Sequence, residues 1–106
     1  MIITVFRSRL REEARDEYMA LAPQIAQLAK GMPGYLAHKA FVAEDGERVT
    51  IVEFKDQESQ KAWATQVDHV AAKKRGRQSF YAEYAIQVCE VLRESKFVAS
   101  GPGEEA

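Results

Sequence analysis

The sequence predicts an α+β domain of ferredoxin-like type, ordered βαββαβ, with an antiparallel four-stranded sheet carrying two helices on one face. Three observations predict it. Apolar side chains from Ala14 to Met32 recur at alternating steps of four and three, the spacing of a helix with one buried stripe. Asp45-Gly46 separates two alternating segments, a strong hairpin signal. A second helical stretch running to Gly76 is followed by an alternating segment that reads as a final strand.

The elements follow in order. Residues 2–10 read as a strand with Ile2, Thr4, Phe6, Ser8 and Leu10 on one face and Ile3, Val5, Arg7 and Arg9 on the other. Neither row is a plain solvent face, so both are expected to be at least partly covered. Residues 12–30 read as a helix whose stripe is Ala14, Tyr18, Leu21, Ile25, Leu28 and Met32. Glu12 and Glu13 suit its positive N-terminal end and Lys30 its negative one. Pro23 removes a backbone donor and is expected to kink or split this helix. Gly31 fits the C-terminal cap, and Pro33-Gly34 turns the chain.

Residues 35–44 and 48–55 form the hairpin. Tyr35, Ala37, Lys39 and Phe41 alternate with Leu36, His38, Ala40 and Val42, and Thr50, Val52 and Phe54 alternate with Val49, Ile51, Glu53 and Lys55. Asp56 caps the second helix, which places Trp63, Val67 and Val70 on one side and His69 beside that stripe. Residues 84–93 read as the last strand, with Tyr84, Ile86, Val88 and Leu92 on one face and Cys89 as a small core residue.

With 106 residues this is one domain with a modest core. Two helices cannot cover both faces of the sheet, so the chain is expected to form a homodimer, sheet to sheet. Fifteen basic residues nearly balance 16 acidic ones, for a net charge of -1, which gives no global attraction to nucleic acid or to an anionic membrane. The run Lys73-Lys74-Arg75-Gly76-Arg77 reads as a solvated helix end, with Arg77 free to pair with Glu83, with Glu90 or with an acidic substrate. No apolar run is long enough to span a bilayer, and the N-terminus lacks the marks of a secretory leader. The single Cys89 fits a cytoplasmic setting. The domain is expected to cover residues 1–97, with 98–106 as a flexible tail that has almost nothing to bury.

The opening strand Ile2–Leu10, the Met32-Pro33-Gly34 turn, the segment Glu44–Phe54 and the spaced set Trp63, His69, Gly76-Arg77, Phe80-Tyr81 and Tyr84 carry a resemblance. On these residues the chain resembles the antibiotic biosynthesis monooxygenase family of the dimeric α/β-barrel superfamily, over roughly residues 1–97. The resemblance implies oxygenation of a small aromatic or phenolic compound without a cofactor: a phenol or quinol is deprotonated in an apolar pocket, and its carbanion-like anion reduces dioxygen directly. The alternative it leaves open is a non-catalytic dimeric ligand-binding or stress-associated domain of the same fold. The haem-degrading relatives carry a strand Asn, a helix Trp and a His about three turns later. Here Trp63 matches, but the strand offers Phe6, Arg7 and Ser8 and the late position falls near Lys73, so haem binding is not carried over.

The residues themselves contain no dinucleotide-binding glycine pattern and no His/carboxylate spacing of a metal site, so neither cofactor nor metal is expected. His69 is the candidate base, because its unperturbed pKa lies nearest neutrality. The bland alternative is a helix histidine bonded to a neighbour such as Asp68. Trp63 is a candidate stacking platform or simply core; Tyr81 and Tyr84 can orient a substrate oxygen or merely pack. Ser8 and His38 can face a cavity or make ordinary sheet contacts. A straight helix would hold Trp63 and His69 apart, so the expectation is that the helix bends between Thr65 and Asp68, that the pair lines two sides of one apolar pocket, and that Phe80 and Tyr81 close its rim.

Overall fold

The structure is a computed structural model and describes residues 1–99. Its elements are β1 (Ile2–Leu10), a 3-10 turn (Glu12–Ala14), α1 (Arg15–Lys30), β2 (Tyr35–Val42), β3 (Arg48–Phe54), α2 (Gln57–Ala64), α3 (Val67–Arg75), a wide π-type turn (Gly76–Phe80) and β4 (Tyr81–Glu90). The sheet is antiparallel in the order β2-β3-β1-β4, the ferredoxin-like arrangement that the alternation predicts.

Pairing sets the two faces. Ile2, Thr4, Phe6 and Ser8 lie opposite Phe54, Val52, Thr50 and Arg48 on one side and opposite Glu90, Val88, Ile86 and Tyr84 on the other, so these residues share the inner, helix-bearing face. Phe54 is wholly buried there, with Ala29 of α1 and Trp63 of α2, and Ile25, Leu28, Met32, Tyr35 and Val52 pack around them. Burying one such side chain stabilises the fold by about 1.5–3 kcal/mol, so this cluster is the main anchor of the helical layer. On the outer face Ile3, Val5, Val49 and Ile51 are half-buried in the single chain, and Cys89, expected in a core, is exposed. A β4 edge strand with one neighbour has nothing above it to bury a thiol.

Helix α1 runs unbroken across Pro23, so the proline does not split it. The carbonyl that loses its donor belongs to Met19; both residues are exposed, so water can serve it. The hairpin forms as expected, with Gly46 at φ 90° and Asp45 accepting from the Glu47 amide. In the Met32–Gly34 turn, Gly34 takes φ 83°, and a Cβ there would lie 2.0 Å from the Ser59 hydroxyl. The turn therefore needs glycine twice over, for backbone conformation and for helix approach.

Three further expectations are corrected. A bulge at Leu36 shifts the register, so Tyr35 pairs with Phe54 and joins the face of His38 rather than the opposite one. Val67 and Val70 do not share Trp63's buried side: Val67 is 79% exposed, because α3 starts afresh with its own rotation. The last strand begins at Tyr81 and ends at Glu90, so Leu92 lies beyond it in a segment with no regular structure. Of the expected tail, residues 100–106 lie outside the described residues.

Candidate functional site

The site grows out of a break in the second helical segment. Thr65 leaves helical conformation and its hydroxyl bonds the Lys61 carbonyl at 2.9 Å. Gln66 is extended at φ -61°, ψ 131°, and its side-chain oxygen caps α3 by accepting from the His69 amide at 2.7 Å. Three carbonyls at the end of α2 accept from side chains: Lys61 from Thr65 and Trp63 from His69 Nδ1 at 2.9 Å, each in addition to a main-chain amide, and Ala64 from Lys73 Nζ at 2.8 Å. The expected bend is present as a two-residue interruption at Thr65 and Gln66, tied by these side-chain bonds.

The break swings His69 back onto Trp63. Their rings stack with centroids 3.8 Å apart and an interplanar angle of 9°. The expected cavity between them does not exist; the two rings are in direct contact. A carbonyl only accepts, so Nδ1 carries the proton and the neutral imidazole keeps its lone pair on Nε2. Burial, more than any other influence, pushes the His69 pKa below its ordinary 6.5; nearby Lys73 adds to this, and the bond to the Trp63 carbonyl opposes it. The partner of His69 is the Trp63 main chain, in place of the expected Asp68.

The remaining candidates divide between two places on the inner face. His38 of β2 lies beside the Trp63 cluster through Tyr35, whose hydroxyl is 2.6 Å from His38 Nδ1 and whose ring packs edge-on against Phe54. Ser8, Tyr81 and Tyr84 lie elsewhere. Ser8 is 3% exposed and paired across the sheet with Tyr84 and Arg48. Tyr81 and Tyr84 pack with Phe6, and Tyr81 packs with Tyr18, which also meets Phe80 and lies under the Arg48 guanidinium at 5.3 Å. Burial first, and the neighbouring Tyr18 phenol second, push the Tyr81 phenol far up, so it stays protonated. Phe80 and Tyr81 therefore wall this second cluster instead of closing a rim over His69.

Two open clefts indent the described residues. One, about 290 Å³, lies among Met1, Ile2, Lys55, Asp56 and Val88; the other, about 470 Å³, lies between α1 and α3 beside Leu21, Leu28, Asp68 and Arg75. None of the sequence-predicted site residues lines either. Among the described residues no cluster of three His, Cys, Asp or Glu could hold a metal, and no helix is long and apolar enough to cross a membrane. Part of the basic run is engaged locally, since Arg75 pairs with Glu17 and Lys73 caps α2; Glu83, a proposed partner of Arg77, pairs with Arg9 instead.

Sequence reasoning missed two polar groups. Tyr35 reaches His38 only because of the bulge, since residues three apart on a regular strand face opposite ways. Thr4, in the middle of the inner face between Val52 and Val88, has a buried hydroxyl with no partner. Its position on the apolar row was legible, but not that its hydroxyl would be left unpaired.

Comparison with known proteins matches residues 1–75 to the antibiotic biosynthesis monooxygenase family. The chain is 29% identical over 93 residues to the uncharacterized protein YqjZ of Bacillus subtilis, covering 88% of this chain and 82% of that one. Its fold is similar to Rv0793 from Mycobacterium tuberculosis, with a TM-score of 0.79 at 16% identity over 90% of this chain and 98% of that one. It is also similar to SnoaB, a cofactor-independent oxygenase from Streptomyces nogalater, with a TM-score of 0.67 at 18% identity over 88% and 97%. At such identities these two structures speak for the fold alone.

Proposed function

The chain belongs to the antibiotic biosynthesis monooxygenase family, and from that premise we propose that it is a homodimeric, cytoplasmic, cofactor-independent monooxygenase of small phenolic compounds with His69 as its base. The observation that carries this reading is the fixed tautomer of His69. Its Nδ1 is tied to the Trp63 carbonyl and its ring is held against the Trp63 indole, so Nε2 is left as an oriented, unprotonated base at neutral pH. Oxygenation without a cofactor asks for little else from the protein than a base, an apolar enclosure and orientation. SnoaB, similar in fold, is a cofactor-independent oxygenase, which supports the same chemistry here.

In this reading Nε2 takes a proton from an activated carbon or phenol of the substrate. The resulting anion adds dioxygen at carbon, and the proton returns to give a hydroperoxide. Loss of water then leaves a carbonyl, so one oxygen atom stays in the product and the other leaves as water. Ser8, Tyr81 and Tyr84 serve the far wall of the inner face and His38 its β2 edge, with the protonated Tyr81 phenol as a donor to a substrate oxygen. Half-buried Ile3, Val5, Val49 and Ile51 on the outer face support pairing with a second copy.

One observation weighs against Trp63 as a stacking platform in either the catalytic or the ligand-binding reading. Trp63 is 7% exposed within the packed cluster and His69 covers one of its faces, which leaves little indole for a ligand to stack upon. Oxygen uptake with a panel of quinols and anthrone-type phenols separates the two. Uptake that disappears in His69→Ala supports the oxygenase; ligand binding with no uptake by the intact protein supports the binder.

A further inference from the structure

Arg7, Arg9 and Arg48 stand at the same end of the sheet, yet only the first two are neutralised. On the outer face Arg7 pairs with Glu47, and Arg9 with Asp45 and Glu83. Arg48 of β3 stands on the inner face, half-buried, with its guanidinium 5.3 Å from the centre of the Tyr18 ring of α1. Among the described residues it has no carboxylate within ion-pair distance, and Glu17, on the same helix as Tyr18, is committed to Arg75. A guanidinium held partly out of water against one phenol ring recovers only part of its lost hydration.

The groups around Arg48 can donate. Ser8, buried, lies directly across the ladder from it, and Tyr84 lies directly across from Ser8. The Tyr81 phenol is close enough to feel the Arg48 charge, but burial and the neighbouring Tyr18 phenol keep its proton in place. Two phenols side by side share at most one proton between them, so the other is left to donate outward. The Tyr81 ring is seated on Gly76, where a Cβ would lie 2.5 Å from its Cε2. Beside these donors the β4 edge of the same face is open and apolar: Tyr84 and Ile86 are 39% and 44% exposed, next to Phe6.

An uncompensated cation, hydroxyl donors and an aromatic shelf fit a flat apolar body that carries one negative charge. The planar guanidinium matches the two oxygens of a carboxylate. A phosphate dianion would ask for a second cation, and Arg75 is already paired. We propose that Arg48, with Ser8 and the Tyr81 phenol, forms a subsite for the carboxylate of an aromatic acid whose ring lies on Phe6, Tyr84 and Ile86. The subsite goes beyond the oxygenation reading and does not need it, because Arg48 takes no part in proton transfer at His69.

The test is calorimetric titration of the full chain with 4-hydroxybenzoate, with its methyl ester, which keeps the ring and phenol but not the charge, and with inorganic phosphate. The acid should bind at least about tenfold more tightly than the ester, and phosphate at equal concentration should not displace it. Arg48→Gln should erase the preference and Arg48→Lys should keep part of it. Tyr81→Phe, which keeps the ring on Gly76, should reduce it about threefold. Arg7→Gln, on the outer face, should leave it unchanged. Equal affinity for acid and ester, binding of neither, displacement by phosphate, or a preference that survives Arg48→Gln overturns the subsite. So does a preference lost as fully in Arg7→Gln, which would make it a matter of overall charge. If Arg48→Gln does not fold, Tyr81→Phe decides, and an undiminished preference there overturns the proposal. Oxygen uptake on uncharged quinols keeps the two readings apart. Uptake without a preference for the acid removes the subsite and leaves the oxygenase; a preference for the acid with no uptake supports the subsite and removes the oxygenase.

Discussion

The imidazole of His69 lies flat on the indole of Trp63, 3.8 Å between centroids, while its Nδ1 bonds the carbonyl of the same tryptophan. One residue thus fixes both the plane and the tautomer of the other. The arrangement costs a helix break, and the break is held by Thr65, Gln66 and Lys73 rather than left to solvent. A pair joined by ring and main chain responds to protonation as a unit, which gives it an optical and a thermodynamic signature.

The first prediction is that signature. The folded His69 pKa lies below the ordinary 6.5. Above that value both folded and unfolded states carry neutral imidazole, and the full contribution to stability is present. As pH falls below it, the unfolded chain binds the proton first, so stability declines until the folded pKa is passed. Denaturation midpoints should fall through this window, and Trp63 fluorescence should drop with them as the stacked ring becomes cationic. In His69→Gln that sensitivity should vanish. A His69 NMR titration with a midpoint above 6.5 would sink the argument.

The second separates packing from chemistry at the same position. His69→Phe retains an aromatic ring on Trp63 but removes both ring nitrogens. Its stability should stay within about 1 kcal/mol of the parent, while His69→Ala should lose roughly 1–2 kcal/mol from the vanished stack and hydrogen bond. Both should lose oxygen uptake on a responsive phenol. Uptake preserved in His69→Phe would remove His69 from the mechanism while leaving its structural role intact.

The third concerns two glycines in positive-φ turns. At Gly46 a Cβ meets nothing within 4 Å, so Gly46→Ala should cost only the left-handed backbone, about 1–2 kcal/mol. At Gly34 the same change also drives a methyl into the Ser59 side chain. Gly34→Ala should therefore be the more damaging in urea unfolding, and Ser59→Gly should recover part of the difference. Equal costs at both sites would mean that the turn moves away from α2 at no expense.

These positions also show how far the residues could be read in advance. The hairpin, the α1 stripe and the Asp56 cap are local, set by spacing and by side chains that bond their own neighbourhood, and they were legible; Ser59 donates to Asp56 at 2.8 Å from its amide. The helix break was foreseen from the weak apolar pattern between Thr65 and Asp68. Its outcome was not, since it depends on which carbonyls find donors once the helix stops. The Leu36 bulge is invisible in the sequence because an alternating pattern records period two and not a slipped residue, so alternation alone puts Tyr35 on the opposite face from His38. The division of the candidates into a Trp63 cluster and a Tyr81 cluster is a fact of tertiary packing: Tyr18 comes from α1, some sixty positions away in sequence, and nothing local marks it as Tyr81's neighbour.

The fourth prediction concerns Thr4. Its hydroxyl is buried on the inner face, between Val52 and Val88 across the ladders, and bonds nothing. A buried hydroxyl without a partner costs about 1–3 kcal/mol, whereas a methyl in its place costs no hydrogen bond and fills the same volume. Thr4→Val should therefore raise stability, by about 1 kcal/mol once side-chain packing adjusts, measured as a higher urea midpoint at unchanged slope. The unpaired hydroxyl on the inner face is free to bond a partner brought to that face. If that partner is the substrate, the stabilised variant should bind phenols more weakly and take up oxygen more slowly although it is harder to unfold. If Thr4→Val is instead destabilising, the hydroxyl already has a partner in the free protein, and the case for Thr4 as part of the site falls.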